Sequence, residues 1–160
     1  MYRSKAEWLR AKERAYSEFQ AVVEEIGDAG TAKIKETATG EWGLEDVVAH
    51  VAFWEDFLSK MLIAWLVEGT PFPGFESYDE INAYSTALRR SGQLSNILQE
   101  LERAHRDVMT IVKDLTTDET LHREVPVAYA SRVDQRPLGE VLSTYIEHYA
   151  EHAEQLRSLS

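Results

Sequence analysis

Two histidines, His148 and His152, stand four residues apart in the stretch YIEHYAEHAEQL, residues 145–156. Val141, Tyr145, His148, His152 and Leu156 advance by four, three, four and four, so on a helix they share one face. Side chains at i and i+4 lie about 5–6 Å apart at Cβ, close enough for two imidazoles to grip one metal ion. Spacing alone permits chelation without requiring it, because helices also bury a histidine against a carboxylate or leave such a pair in water.

His50 sharpens the question. Val47, His50, Trp54 and Phe57 advance by three, four and three, so this histidine too stands on an apolar face. A single inward histidine is most often a core residue. Three of them on two helices are harder to accommodate, since each buried ring needs partners for both nitrogens, whereas one cation takes a lone pair from each. Three neutral imidazoles suit a borderline divalent ion, Zn²⁺ or Ni²⁺, and leave coordination positions for water or substrate. The pattern differs from the zinc-protease helix H-E-x-x-H: Tyr149 takes the glutamate's place and the acid is Glu151.

Nearby residues have two readings each. Glu55, Glu147 and Glu151 are candidates to accept the second N–H of a ligand ring, and a solvated acidic face accounts for them equally well. Trp54, Phe57, Tyr145 and Tyr149 are candidates for the wall of an apolar pocket or for core. His105 reads as a packing or boundary residue of another helix, and His122 carries no signal. The chain has no glycine-rich phosphate loop, no G-x-S-x-G elbow and no basic stripe with interleaved aromatics.

Composition narrows the setting for this chemistry. A chain of 160 residues, 44% hydrophobic with eight Gly and four Pro, fits one globular domain over residues 1–160. Its formal net charge of −11 repels phosphate backbones and anionic membranes, so a small molecule is the expected partner rather than nucleic acid or a membrane. Cysteine is absent, which removes disulfides, thiolate ligands and a cysteine nucleophile; any thiol chemistry must use a thiol from outside the chain. The N-terminal stretch MYRSKAEWLRAKERAYSEF has no continuous apolar run. The most apolar segment, FLSKMLIAWLV, contains Lys60 and falls short of the roughly 20 residues of a membrane span. A cytoplasmic protein is expected.

The elements that must hold the histidines follow from periodicity. Trp8, Leu9, Tyr16, Phe19, Val22, Val23 and Ile26 predict a first helix over 3–26, and GDAGTAKIKETATG a loop after it. Leu44 through Trp65 predict a second helix over 43–67, with a stripe wide enough for two neighbours. Ser77 and Glu80 form a capping box for a short helix through Ile81 and Tyr84. Ser91 and Gly92 then precede a third long helix running from Leu94 to Leu115. Residues 116–136 offer a second capping box, Thr116 with Glu119, then a short β-rich piece, and read as a turn of helix and an irregular loop. Pro137 suits the first turn of a last helix marked by Leu138, Val141, Leu142, Tyr145, Tyr149, Leu156 and Leu159. With no strong strand candidate, the expectation is an all-α bundle of four long helices around one core.

Two segments resemble motifs of the DinB/YfiT-like superfamily of four-helix bundles. In EWGLEDVVAHVAFWE the resemblance lies in Trp42, Asp46 and His50; in HYAEHAEQL it lies in His148, His152 and Gln155. The third-helix region, FESYDEINAYSTALRRSGQLSNILQELERAHRDVM, is similar to that of the colibactin self-protection branch. The resemblance implies an up-down-down-up bundle whose ligand triad is His50, His148 and His152. It also implies a metal-dependent enzyme, such as a hydrolase or an S-transferase using a low-molecular-weight thiol, and a homodimer, for which Phe72, Phe75 and Tyr78 offer an interface. Gly43 departs from the usual capping Ser or Thr, at a cost of only a few tenths of a kcal/mol. Ala153 and Glu154 replace a basic-Gly pair, which disfavours an anionic substrate at that end. The alternative function is a non-catalytic bundle that binds a metal or ligand, or serves as a dimerisation module.

Overall fold

A computed structural model describes residues 2–28, 35–37, 40–87 and 93–158. Helix α1 (Lys5–Asp28) begins where Ser4 Oγ accepts the Glu7 N–H at 3.1 Å, and it buries the expected stripe from Trp8 to Ile26. Helix α2 (Leu44–Ile63) starts without a capping side chain; instead the Gly43 N–H donates to Asp46 Oδ2 at 3.0 Å. It continues into a π-helical segment, Ala64–Glu68, which Gly69 ends at φ 70°, a conformation that glycine adopts without strain. Helices α3 (Asp79–Ala87), α4 (Leu94–Leu115), α5 (Asp118–His122) and α6 (Leu138–Arg157) complete the helical part.

Four long helices, α1, α2, α4 and α6, form the bundle, with the most extensive contacts between α2 and α4 and between α1 and α6. Their directions follow from particular contacts. Lys5 at the start of α1 reaches the carbonyl of Lys113 in the last turn of α4 and that of Thr116 just beyond it, so those two run antiparallel. The N-terminal halves of α2 and α4 share one apolar cluster and their C-terminal halves the other, so they run parallel. Lys12 lies over the Tyr145 ring and Tyr16 packs on Tyr149, which makes α1 and α6 parallel. This is the up-down-down-up order. Among the described residues, no helix is long and apolar enough to cross a membrane.

Several expectations need correction. Strands exist: β1 (Lys35–Thr37) pairs with β2 (Gly40–Trp42) inside the stretch expected as loop. Strand β3 (Phe72–Pro73) pairs in parallel with β4 (Glu124–Ala128), which pairs antiparallel with β5 (Val133–Pro137). Residues 116–136 are therefore a short helix and a hairpin rather than an irregular loop. The strand signal was a brief alternation in EVPVA, where Val125 and Val127 are buried, and it gains its worth only by packing on the bundle. The cap of α5 is Thr117 with Thr120, not Thr116 with Glu119, because the buried Thr116 hydroxyl donates to the Val112 carbonyl. Ser77 Oγ accepts the N–H of Asp79 at 3.4 Å rather than that of Glu80. Pro137 stands at the N-cap of α6, one residue ahead of its first turn. Ser91, Gly92 and Leu159 lie outside the described residues.

The core divides in two. One cluster gathers Phe19, Val23, Val48, Leu101 and Leu156; the other gathers Trp8, Leu58, Leu62, Val112 and Leu142. Between them lies a buried polar layer with one member from each long helix: Lys12, Glu55, His105 and Tyr149. Lys12 Nζ bonds a Glu55 carboxylate oxygen, donates to the Tyr145 carbonyl at 3.1 Å and sits 4.4 Å from the centre of the Tyr149 ring. His105 stacks on Tyr16 at 3.9 Å and meets Glu13 through Nε2 at 3.1 Å.

Candidate metal centre

Helix α2 presents His50 and helix α6 presents His148 and His152. The local reasons are plain. His148 and His152 are one turn apart on α6, and His50 lies one turn past Asp46, whose carboxylate ties down the start of α2. The Trp42 ring sits 5.0 Å from that of His50. His148 Nε2 is 3.0 Å from Nε2 of His50 and 3.0 Å from Nε2 of His152. One nitrogen from each ring lies within 4.8 Å of the others.

Proton positions make this cluster unusual. His152 Nδ1 is 2.6 Å from Gln155 Oε1; a carboxamide oxygen can only accept, so Nδ1 carries the proton and Nε2 keeps its lone pair. His148 Nε2 faces the Nε2 atoms of both His50 and His152 and can hold at most one proton. Its two contacts therefore cannot both be well-directed hydrogen bonds in the neutral cluster. Protonation does not relieve this cheaply. Burial holds His50 down to about 3, with His152 adding repulsion. Burial also lowers His148 well below the usual range, reinforced by His152, His50 and Lys12, and lowers His152, against which Gln155 acts. Three ring nitrogens within 4.8 Å of one another, on rings kept neutral, are the donor set that a divalent cation takes.

The rings form part of the wall of a cavity of about 560 Å³, a size usual for small-molecule sites. Trp54, Phe57, Phe75, Tyr78, Tyr129 and Tyr145 supply most of its apolar surface, and Asp79, Arg136, Glu151 and Gln155 supply charge and polarity. Trp54 is fixed by its Nε1–H to Asn82 Oδ1 at 3.1 Å and by edge contacts with Phe75 and Tyr78. Burial pushes the Tyr145 hydroxyl far above its ordinary range, so it stays protonated and serves as a hydrogen-bond donor. Arg136 has Glu140 at 3.9 Å.

Of the expected neighbours, Trp54, Phe57, Tyr145 and Glu151 line the cavity. Others do not. Glu55 is turned away from the histidine cluster and pairs with Lys12 instead, because five residues along α2 is too far round and too far along to reach a ring of the cluster. Tyr149 lies in the core beside Tyr16, Phe19 and His105, and Glu147 is exposed outside the cavity. Phe72 is buried, Tyr78 is half exposed, and Phe72, Phe75 and Tyr78 all line the cavity. His105 is 4% exposed and belongs to the polar layer, so it is no boundary residue. Lys12, Asn82, Tyr129 and Arg136 were missed. Lys12 had a readable signal, one helical turn from both Trp8 and Tyr16 on the buried stripe; Tyr129 and Arg136 come from the hairpin that the sequence hid.

Comparison with known proteins agrees with this architecture. An uncharacterised protein of Escherichia coli UTI89 superposes with a TM-score of 0.75 at 18% identity, covering 99% of this chain and 94% of that one. YfiT from Bacillus subtilis, described as a probable metal-dependent hydrolase with an unusual four-helix bundle topology, gives 0.71 at 19% identity over 98% and 85%. A mycothiol-dependent maleylpyruvate isomerase gives 0.72 at 18% identity over 95% of this chain and 60% of its own. These likenesses concern the fold. A stretch of 95 residues is 32% identical to the chaperone protein ClpB of Rhodopseudomonas palustris, which is 58% of this chain but 11% of that protein. The DinB superfamily model matches residues 11–156, a span that covers most of α1 and α6, all of α2 and α4, and all three histidines; the chain belongs to the DinB superfamily.

Proposed function

We propose that this chain is a metal-dependent enzyme in which His50, His148 and His152 hold one divalent ion, Zn²⁺ or Ni²⁺, at the wall of the aromatic cavity, where a thiol or water attacks a small electrophile. The observation that carries the reading is the meeting of three imidazole nitrogens, on rings that burial keeps neutral, at the wall of a cavity of substrate size. When bound, such an ion supplies Lewis acidity that lets a thiol or a water molecule ionise near neutral pH. Gln155 holds His152 in the ligating tautomer. Trp54, Phe57 and Phe75 exclude water from the reacting groups, and the Tyr145 hydroxyl donates a hydrogen bond to a substrate oxygen. Asp79 and Glu151 stand among the lining residues, so neutral or cationic substrates fit better than polyanions. The absence of cysteine means that a thiol nucleophile is a co-substrate.

Elemental analysis of untagged protein tests the first step: about one divalent ion per chain is expected, and His50→Ala is expected to lose it. A His50→Ala protein that kept its full metal load would sink the proposal. Turnover of an electrophile with metal-loaded protein, with and without added low-molecular-weight thiols, separates transferase from hydrolase. Metal binding without turnover under any of these conditions would favour a non-catalytic binding bundle.

A further inference from the structure

We propose that the buried Lys12–Glu55 pair is a positioning device for the histidine cluster: it sets the axial offset between α2 and α6 on which the meeting of His50 with His148 and His152 depends. The inference rests on the metal reading above. Lys12 comes from α1, a helix that carries none of the three histidines, yet its ammonium joins the two helices that do. It bonds the carboxylate of Glu55, five residues beyond His50 on α2, and it donates at 3.1 Å to the carbonyl of Tyr145, three residues before His148 on α6. Because α2 and α6 run antiparallel, both attachment points lie on the same side of the cluster along the bundle axis.

A helix rises about 1.5 Å per residue. A slip of one residue between α2 and α6 would therefore pull the Lys12–Tyr145 contact apart and move His50 Nε2 away from His148 Nε2 by a comparable distance. The apolar contacts around the pair, Trp8, Leu58 and Leu142 among them, are non-directional and resist such a slip weakly. A directional bond in a dry interior resists it strongly. Stability does not by itself explain the pair, since a buried ion pair is often replaced by apolar residues of similar volume without loss; fixing register is the best attested use of such groups. The side chains are 0% and 1% exposed, so the tie is shielded from solvent competition.

The test is metal binding by the double variant Lys12→Met/Glu55→Leu, read by Co²⁺ titration with visible absorption and compared with the metal-free melting temperature. The double change removes one cation and one anion, so the long-range field at the histidines is little altered and affinity reports geometry. We expect a folded protein, melting at or above the wild-type temperature, that binds Co²⁺ about tenfold more weakly or worse, with changed d–d band intensity. A folded double variant with wild-type affinity and spectrum overturns the inference alone. Wild-type protein that takes up no Co²⁺ overturns the metal reading and this inference with it. Glu55→Gln keeps the shape and an oxygen acceptor for the ammonium, and is expected to keep wild-type affinity. A loss of about tenfold in that variant assigns the effect to charge and also overturns the inference, whether or not the double variant folds.

Discussion

Two buried polar groups sit in the same bundle and solve the problem of burial in opposite ways. In the layer of Lys12, Glu55, His105 and Tyr149, unlike groups face one another: ammonium against carboxylate and carbonyl, imidazole against the Glu13 carboxylate. The histidine cluster brings like groups together, with three ring nitrogens that cannot all be satisfied by their own protons. His50 Nδ1 is also buried with no hydrogen-bond partner among the described residues. The first layer is held by attraction between unlike charges, although Glu55 Oε2, His105 Nδ1 and the Tyr149 hydroxyl are buried there without a hydrogen-bond partner among the described residues. The second brings like nitrogens together at the wall of an open cavity, where a cation from outside can reach them, which is why it is the candidate site and the first is not.

Breaking the complementary layer should have the largest effect. Glu55→Ala leaves the Lys12 ammonium unpaired in the interior, where burial already lowers its pKa against the opposing pull of Glu55. Loss of one partner of a buried pair costs about 3–5 kcal/mol, to be read by urea unfolding of metal-free protein. His50→Ala, by contrast, removes a ring from a self-repelling set and should cost metal-free protein less than Glu55→Ala. A His50→Ala loss equal to or greater than that of Glu55→Ala would erase the distinction drawn here.

Adding metal should narrow or close that gap. At free Zn²⁺ 1,000-fold above its dissociation constant, wild-type protein should gain about 4 kcal/mol, and His50→Ala nothing. Thermal shifts with and without chelator measure this directly. Smaller again is Gln155→Ala, which frees the His152 ring without removing a ligand. It should weaken metal affinity about 10- to 100-fold while leaving the metal-free melting temperature nearly unchanged.

Acid gives the finest comparison. The folded His50 has its pKa lowered to about 3 by burial and by His152, while the unfolded ring titrates near 6.5. Below 6.5 the unfolded chain binds a proton that the folded chain refuses. Stability is therefore complete above that value and is lost as pH falls toward the folded pKa. Between pH 6.5 and 5 this ring alone should account for a loss of about 1–2 kcal/mol in metal-free protein. His50→Gln should flatten the slope, checked by urea unfolding at the two pH values. An unchanged slope would show that the ring is accessible to protons in the folded state.

How much of this was legible in the sequence depends on the range of the interaction. Local periodicity gave the four long helices within a few residues, and the i, i+4 pair on α6 needed nothing more than the helical repeat. His50 was legible as an inward residue, since Val47, Trp54 and Phe57 mark its face. Glu55 was misread because its neighbours on α2 say nothing about what α1 places opposite it. Lys12 was overlooked because a lysine on an apolar stripe is ordinarily a snorkelling surface residue. The hairpin Glu124–Pro137 was hidden for another reason: β5 is mostly polar and becomes a strand only by pairing with β4.

From the chain alone came the helices, their buried faces, the lack of any protein thiol and the three histidines facing inward, because each of these depends on residues within a turn or two of one another. The distance of 3.0 Å between His50 and His148, the partner of Glu55 and the aromatic wall built from α2, residues 72–78, the hairpin and α6 were decided by tertiary structure. They join residues far apart in the chain, and only the packing of one helix against another fixes their relative offset to the ångström that coordination chemistry requires.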